Sequence, residues 1–267
     1  MCTIALLHRS HARYPLVVAA NRDEMYARPT AAADVLLDSP RTVGGRDLSK
    51  GGTWLGVTQG GFLVGVTNQR GYGVPAPGEA MKSRGTLVLD LLARGALGAA
   101  LDHLRSIDAR EYNAFNLVLG DGDALFVAYA RRESAAVTIE ELAAGKTWIL
   151  ANDRIGSPDF PKSERATELA APLVAMAFPE VADGARAMLA DHDKPPLERV
   201  PPPREGSLLP HALLRELQAL CIHTPIYGTR SSSLVALGPG RVEKYLFADG
   251  PPCTTPFTDV TARLYGS

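Results

Sequence analysis

The sequence predicts an α+β chain in which antiparallel sheets and helix layers are segregated, not an alternating parallel α/β fold. Three observations predict it. Apolar runs of strand length come in pairs joined by two-residue turn signals such as Gly60-Gly61 and Asp121-Gly122. Helical periodicities come in pairs between those hairpin groups, at 83–94 with 97–107 and at 163–176 with 181–191. Many of the strands are near-continuous apolar runs, as burial on both faces produces. Two stacked sheets covered by helices on both sides satisfy all three.

In chain order, 3–7 and 16–20 are short apolar runs flanking a polar, basic turn around 10–14, which predicts a hairpin. The Gly- and charge-rich stretch 38–52 reads as a loop. Runs 53–58 and 62–67 flank Gly60-Gly61. Segment 83–94 puts Leu87, Val88, Leu91 and Leu92 on one face, and 97–107 spaces Leu97, Leu101 and Leu104 as a helix does. Strands return at 115–119, 125–130, 137–142 and 147–151, and helices at 163–176 and 181–191. Segment 194–206 holds Pro195, Pro196, Pro201, Pro202 and Pro203 and reads as a surface loop. Too few residues follow it for a second core, so one domain is expected over 1–267. A short helix at 211–220 precedes a last hairpin, 232–237 with 242–247, turning at Gly238-Pro239-Gly240.

The 267 residues are 46% hydrophobic and 21% charged, with net charge −1. That balance is globular and gives no reason to expect nucleic acid or an anionic membrane as partner. No apolar run approaches the ~20 residues a bilayer span needs. Run 3–7 is too short for a signal-peptide core, and His8, Arg9, His11 and Arg13 follow it at once. The 3 cysteines stand far apart, against a disulfide framework, and the default location is the cytoplasm. Cys221-Ile222-His223 has no second ligand pair nearby in sequence and lacks zinc-site spacing, so no metal is expected there. Neither a phosphate-cradling GxxxxGK[ST] run nor a GxGxxG fingerprint is present.

The residue with the sharpest chemistry is Cys2. Methionine is commonly removed before a small second residue, and Cys2 would then carry a thiol and a free α-amine. A thiol titrates near ~8.5 and an α-amine near ~7.7–8.0, so the amine can take the thiol proton at neutral pH. The plainer reading is a small buried residue at a strand start. Four polar residues, Asn21-Arg22-Asp23-Glu24, follow the run 16–20, and the hairpin would carry them near Cys2. Asp23 could then bind the amine and Arg22 could stabilise a thiolate. Asn68 and Asn152 each end a strand, where an amide can meet a developing oxyanion. Tyr227-Gly228-Thr229-Arg230-Ser231 leads into the penultimate strand.

These clusters resemble the NRDE family, named for that tetrad. The resemblance rests on Met1-Cys2-Thr3, Asn21–Glu24, Gly52-Thr53-Trp54-Leu55-Gly56, Thr67-Asn68-Gln69-Arg70, Tyr112-Asn113-Ala114-Phe115-Asn116-Leu117, Ala151-Asn152, Pro161-Lys162, Tyr227–Ser231 and Val242-Glu243. It covers most of the chain and is weakest across the proline-rich segment. The family in turn resembles N-terminal nucleophile hydrolases that cleave bile-salt or penicillin amides. That implies a four-layer αββα sandwich and a C–N hydrolase needing no cofactor, acting on a small-molecule amide or acyl substrate. It implies Cys2 as nucleophile, Asp23 on its amine, Asn68 and Asn152 in the oxyanion hole, and Arg230 beside the thiolate. Those acylases place an Arg three positions before the Asp, which here is Ala20, so Arg22 would substitute. The alternative the family implies is a binding or trafficking protein for haem, acyl-CoA or lipid on the same fold.

Overall fold

The computed structural model describes residues 2–69, 81–178, 180–203, 207 and 209–266. Met1, Arg70 and Gly206, used in the sequence reading, lie outside the described residues. The strands are β1 (Cys2–His8), β2 (Leu16–Met25), β3 (Thr30–Asp38), β4 (Arg41–Asp47), β5 (Leu55–Thr58), β6 (Leu63–Asn68) and β7 (Phe115–Gly120). They continue with β8 (Leu125–Ala130), β9 (Thr138–Glu141), β10 (Lys146–Leu150), β11 (Tyr227–Gly238), β12 (Arg241–Ala248) and β13 (Thr258–Asp259). The helices are α1 (Arg84–Ala93), α2 (Leu97–Ser106), α3 (Lys162–Ala170), α4 (Glu180–Leu189) and α5 (His211–Glu216).

One sheet has the order β10-β1-β2-β11-β12-β13, and the other runs β3 to β9 in sequence. Every strand pairing is antiparallel. Side chains alternate faces along a strand, and β1 shows both destinations. Ile4 and Leu6 pack between the sheets with Val43, Leu55 and Val118. Ala5 and Leu7 pack outward with Ala166 and Ala170 of α3 and Val181 and Ala185 of α4. On the far side, Leu87, Val88, Leu91 and Leu92 of α1 cover Phe115, Leu117 and Leu119 of β7. The result is the expected αββα layering. Each large apolar side chain buried this way contributes roughly 1.5–3 kcal/mol.

Two expectations are corrected. Segment 38–52 is not a loop throughout, because Arg41–Asp47 pairs as β4 with both β3 and β5. Gly45 of β4 serves close packing instead of a turn: a Cβ there would overlap the indole of Trp54. Helix 163–176 stops at Ala170 and tightens into a 3-10 turn, Ala171–Ala175, with Pro172 in its first turn. Proline lacks the N–H that an α-helix interior needs. The proline-rich segment is tied down where described, with Val200 buried and Lys194 paired with Glu216 at 2.7 Å.

Ser83 caps α1, its hydroxyl accepting from the Thr86 N–H at 3.3 Å. The helix start then seats on Gly52, whose missing Cβ would overlap the backbone of Gly85. The Thr53 N–H donates to the Gly85 carbonyl at 3.0 Å. Gly52→Ala is therefore expected to lower unfolding free energy by about 1–3 kcal/mol, the range for an overpacked contact. Urea denaturation checks it, and an unchanged midpoint would show that α1 is not seated on this glycine.

Candidate active site

The β1–β2 register sets Cys2 directly across from Arg22. Cys2 lies two residues before Ile4 and so shares its inter-sheet face. Cys2 and Arg22 line a small cleft with Trp54, Leu55, Val66 and Ser233. The Arg22 guanidinium lies 4.1 Å from the centre of the Trp54 ring. Such a contact is worth up to about 2 kcal/mol when desolvated, which offsets part of the cost of an Arg left only 5% exposed. Burial pushes the Cys2 thiol above its usual range, while the Arg22 guanidinium and a backbone hydrogen bond to Asp23 act against it. Arg84, at the start of α1, is itself held down by burial and feels the charge of Cys2.

Asn152 follows β10, which pairs along the other side of β1. Its Oδ1 accepts from the Cys2 backbone nitrogen at 3.2 Å, and its Nδ2 donates to the Asn68 carbonyl at 2.8 Å. Those two bonds orient the amide, since flipping it would set donor against donor and acceptor against acceptor. Asn152 therefore grips the nitrogen of Cys2. A strap between the sheets holds it there: Thr67 donates to the Ala151 carbonyl at 2.6 Å, and Asn116 donates to Thr67 at 3.0 Å. The Asn68 side chain is exposed and lines two cavities at once.

The polar tetrad lies within β2, and alternation splits it. Asn21 faces the helix layer. Its Nδ2 donates to the carbonyls of Leu189 and Leu220 at 2.8 and 2.9 Å, and its Oδ1 accepts from Ser232 at 2.6 Å. This residue ties the end of α4 and the connection after α5 to the sheet. The Asp23 carboxylate accepts from the Thr229 hydroxyl at 2.7 Å. Burial pushes the Asp23 carboxyl up, opposed by the ammonium of Lys162, the Thr229 hydrogen bond and Arg22. Glu24 returns to the Arg22 side, 3.8 Å from both Arg22 and Arg28.

Arg230 stands apart from this group. It falls in a β-bulge of β11, where Ser231 is the residue opposite Arg22, and its Nη2 makes a long 3.5 Å contact to Thr30. Among the described residues, Arg22 is a cation acting on Cys2, and Arg84 feels the charge of Cys2. Sequence reasoning assigned no role to Trp54, Arg84, Asn116, Lys162 or Thr229. Four of them lie in or beside quoted motifs. Arg84 carried no signal except its place beside a capping serine.

Two larger cavities meet at Asn68. One, of about 220 Å³, is lined by Arg22, Arg28, Lys50, Lys82 and Arg84 together with Glu24 and Asp47. The other, of about 400 Å³, is walled by Met25, Leu209, Leu213, Leu217, Ile226 and Tyr227. A further correction concerns Cys221-Ile222-His223, read as lacking partners. The fold brings His192 and Cys253 to it, with one ligand atom of each of the four residues within 4.8 Å of the others.

A profile of the family described as Transport and Golgi organisation 2 matches residues 1–243, and the chain belongs to that family. It is 31% identical over 242 residues to the Transport and Golgi organization protein 2 homolog of Bos taurus, covering 83% of this chain and 82% of that protein. Identity to the Homo sapiens homolog is 29% with the same coverage. Among solved structures, it resembles the Caenorhabditis elegans ortholog of N-acylethanolamine-hydrolyzing acid amidase. The TM-score is 0.56 at 14% identity, covering 90% of this chain and 93% of that one. It also resembles a variant of conjugated bile acid hydrolase from Clostridium perfringens, at TM-score 0.58 and 11% identity, covering 98% and 93%. At these identities the likeness carries the fold alone.

Removing the Asn21 side chain strands two buried carbonyls on the helix side of β2, opposite the face that carries Arg22. Asn21→Ala is expected to cost about 1–3 kcal/mol of stability, the penalty for an unsatisfied buried group. The rate of Cys2 alkylation below the unfolding transition should stay at the parental value. A stable variant with an altered Cys2 rate would place Asn21 in the chemistry instead of the scaffold.

Proposed function

We propose that this member of the Transport and Golgi organisation 2 family is an N-terminal-cysteine hydrolase that cleaves a non-peptide amide through a thioester, in the reducing cytoplasm. The observation that carries the reading is the arrangement at Cys2: its nitrogen on Asn152 Oδ1, its thiol face toward Arg22. Removal of Met1 turns that nitrogen into a free amine already gripped by Asn152. The amine takes the thiol proton, and the sulfur attacks the substrate carbonyl. Asn68 would donate to the oxyanion, while Arg22 and Arg84 stabilise negative charge in a water-poor cleft. The C–N bond breaks as the ammonium returns its proton to the leaving nitrogen. Water, deprotonated by the same amine, then attacks the thioester, releasing the acid and restoring the thiol.

The two cavities meeting at Asn68 support a substrate with an apolar acyl group on one side and a polar, anionic group on the other. The similar structures named as an amidase and a bile acid hydrolase are consistent with that chemistry. The same pair of cavities favours a second reading, in which a chain that keeps Met1 holds an amphipathic anion such as an acyl-CoA or a haem without cleaving it.

Intact mass and brief alkylation separate the two. The hydrolase reading expects Met1 to be absent and Cys2 to label faster than Cys221 and Cys253. Chain that retains Met1 should label slowly at Cys2 and speed up only above the ordinary thiol range, because burial raises that thiol. Cys2→Ala should abolish amide hydrolysis while the thermal midpoint barely moves. Full turnover in that variant would falsify the nucleophile assignment.

A further inference from the structure

We propose that His192, Cys221, His223 and Cys253 form a structural zinc site that pins the wall of the apolar cavity. The residues come from three separate segments: just past α4, the connection from α5 to β11, and the connection from β12 to β13. Their ligand atoms nevertheless converge within 4.8 Å.

The spacing is that of a coordination polyhedron. A tetrahedral ion with Zn–S of ~2.3 Å and Zn–N of ~2.0 Å separates two sulfurs by about 3.8 Å, and a sulfur and a nitrogen by about 3.5 Å. Here Cys221 Sγ and Cys253 Sγ are 3.7 Å apart. His223 Nε2 is 3.3 Å from Cys253 Sγ and 3.7 Å from Cys221 Sγ. The sulfurs stand well beyond the ~2.05 Å of a disulfide bond. His192 faces His223, with ring centroids 5.2 Å apart.

The surroundings prepare the ligands. His192 Nδ1 lies 3.0 Å from the Cys221 carbonyl, so with its proton there Nε2 is left to bind. A backbone carbonyl in this position is a usual orienting partner for a metal-bound imidazole. The Cys221 N–H donates to the Asp191 carbonyl at 2.8 Å, fastening the two ligand segments together. Cys221 is buried, while both histidines are exposed and provide an entry path. Two thiols and two imidazoles match the common Cys₂His₂ set. Four protein ligands close the shell, which marks a structural ion and not a catalytic one.

The site is linked to Asp23 through Ile222 and Thr229. Ile222, between two of the ligands, exchanges hydrogen bonds with Thr229: its N–H donates to the Thr229 hydroxyl and its carbonyl accepts from the Thr229 N–H, each at 2.9 Å. Thr229 in turn holds Asp23. On the other side, the Thr224 N–H and hydroxyl both donate to the Tyr227 carbonyl, at 2.9 and 2.7 Å, and Tyr227 walls the apolar cavity. An ion here stiffens both that wall and the support of Asp23, whether or not Cys2 turns over.

The test is elemental analysis of the full chain, purified without a histidine tag or chelator. We expect zinc near one ion per chain, and a loss of at least about tenfold in affinity for His223→Ala and Cys253→Ser. Cys2→Ala should keep its zinc. Cobalt added to metal-free protein should give tetrahedral d–d bands and thiolate charge transfer. Because a ligand variant could fail to fold, a second readout uses the parent alone. A chelator should unmask Cys221 and Cys253 to alkylation, and added zinc should protect them again. Absence of transition metal with no cobalt bands, or a Cys221–Cys253 disulfide in freshly isolated protein, would overturn the proposal.

Discussion

The pairing of Cys2 with Arg22 across β1 and β2 is the constraint on which the rest depends. β1 is an interior strand, so β10 and β2 hold it from both sides. That burial brings Asn152 from one neighbour and Arg22 from the other to the same residue. A register slip of one residue would send Arg22 to the helix layer and Asn21 to the cleft. The alternating apolar contacts of β1 with both layers resist such a slip, because every side chain would have to change faces.

Around that register the chain buries an unusual amount of charge. Arg22, Asp23 and Lys162 are all nearly inaccessible. Isolated charges in such places cost several kcal/mol each, and only pairing and hydrogen bonding make them tolerable. The arrangement has a division of labour. On the inter-sheet face, Arg22 stacked on Trp54, joined by Arg84, creates a positive potential at the thiol. On the helix face, Lys162 and Thr229 balance Asp23. The two faces communicate through β2 itself, whose successive residues alternate between them.

The converging ligand cluster extends this logic to the less regular part of the molecule. The connection between α5 and β11 carries cavity wall, Asp23 support and two of the four ligands within a few residues. Such a segment has little helix or strand pairing of its own to hold it. A four-coordinate cross-link to the end of α4 and to the connection after β12 would supply the missing rigidity where a binding surface needs it.

Much of the fold was legible because its signals are local. Two-residue turns marked the hairpins, the helical spacing of Leu87, Val88, Leu91 and Leu92 marked the buried face of α1, and continuous apolar strands implied burial on both sides. The position of Cys2 and the polar tetrad after an apolar strand pointed to the site. The errors also have local causes: glycines in 41–47 looked like a loop because packing against Trp54 leaves no trace in periodicity. Tertiary structure alone decided which residues of the tetrad face the thiol, since alternation depends on register. It alone set Arg230 in a bulge and brought Arg84 from a distant helix to Cys2. Most plainly, it gathered His192, Cys221, His223 and Cys253 from segments with no spacing in common. A strand or a helix is specified by neighbours along the chain, whereas a site is specified by neighbours in space.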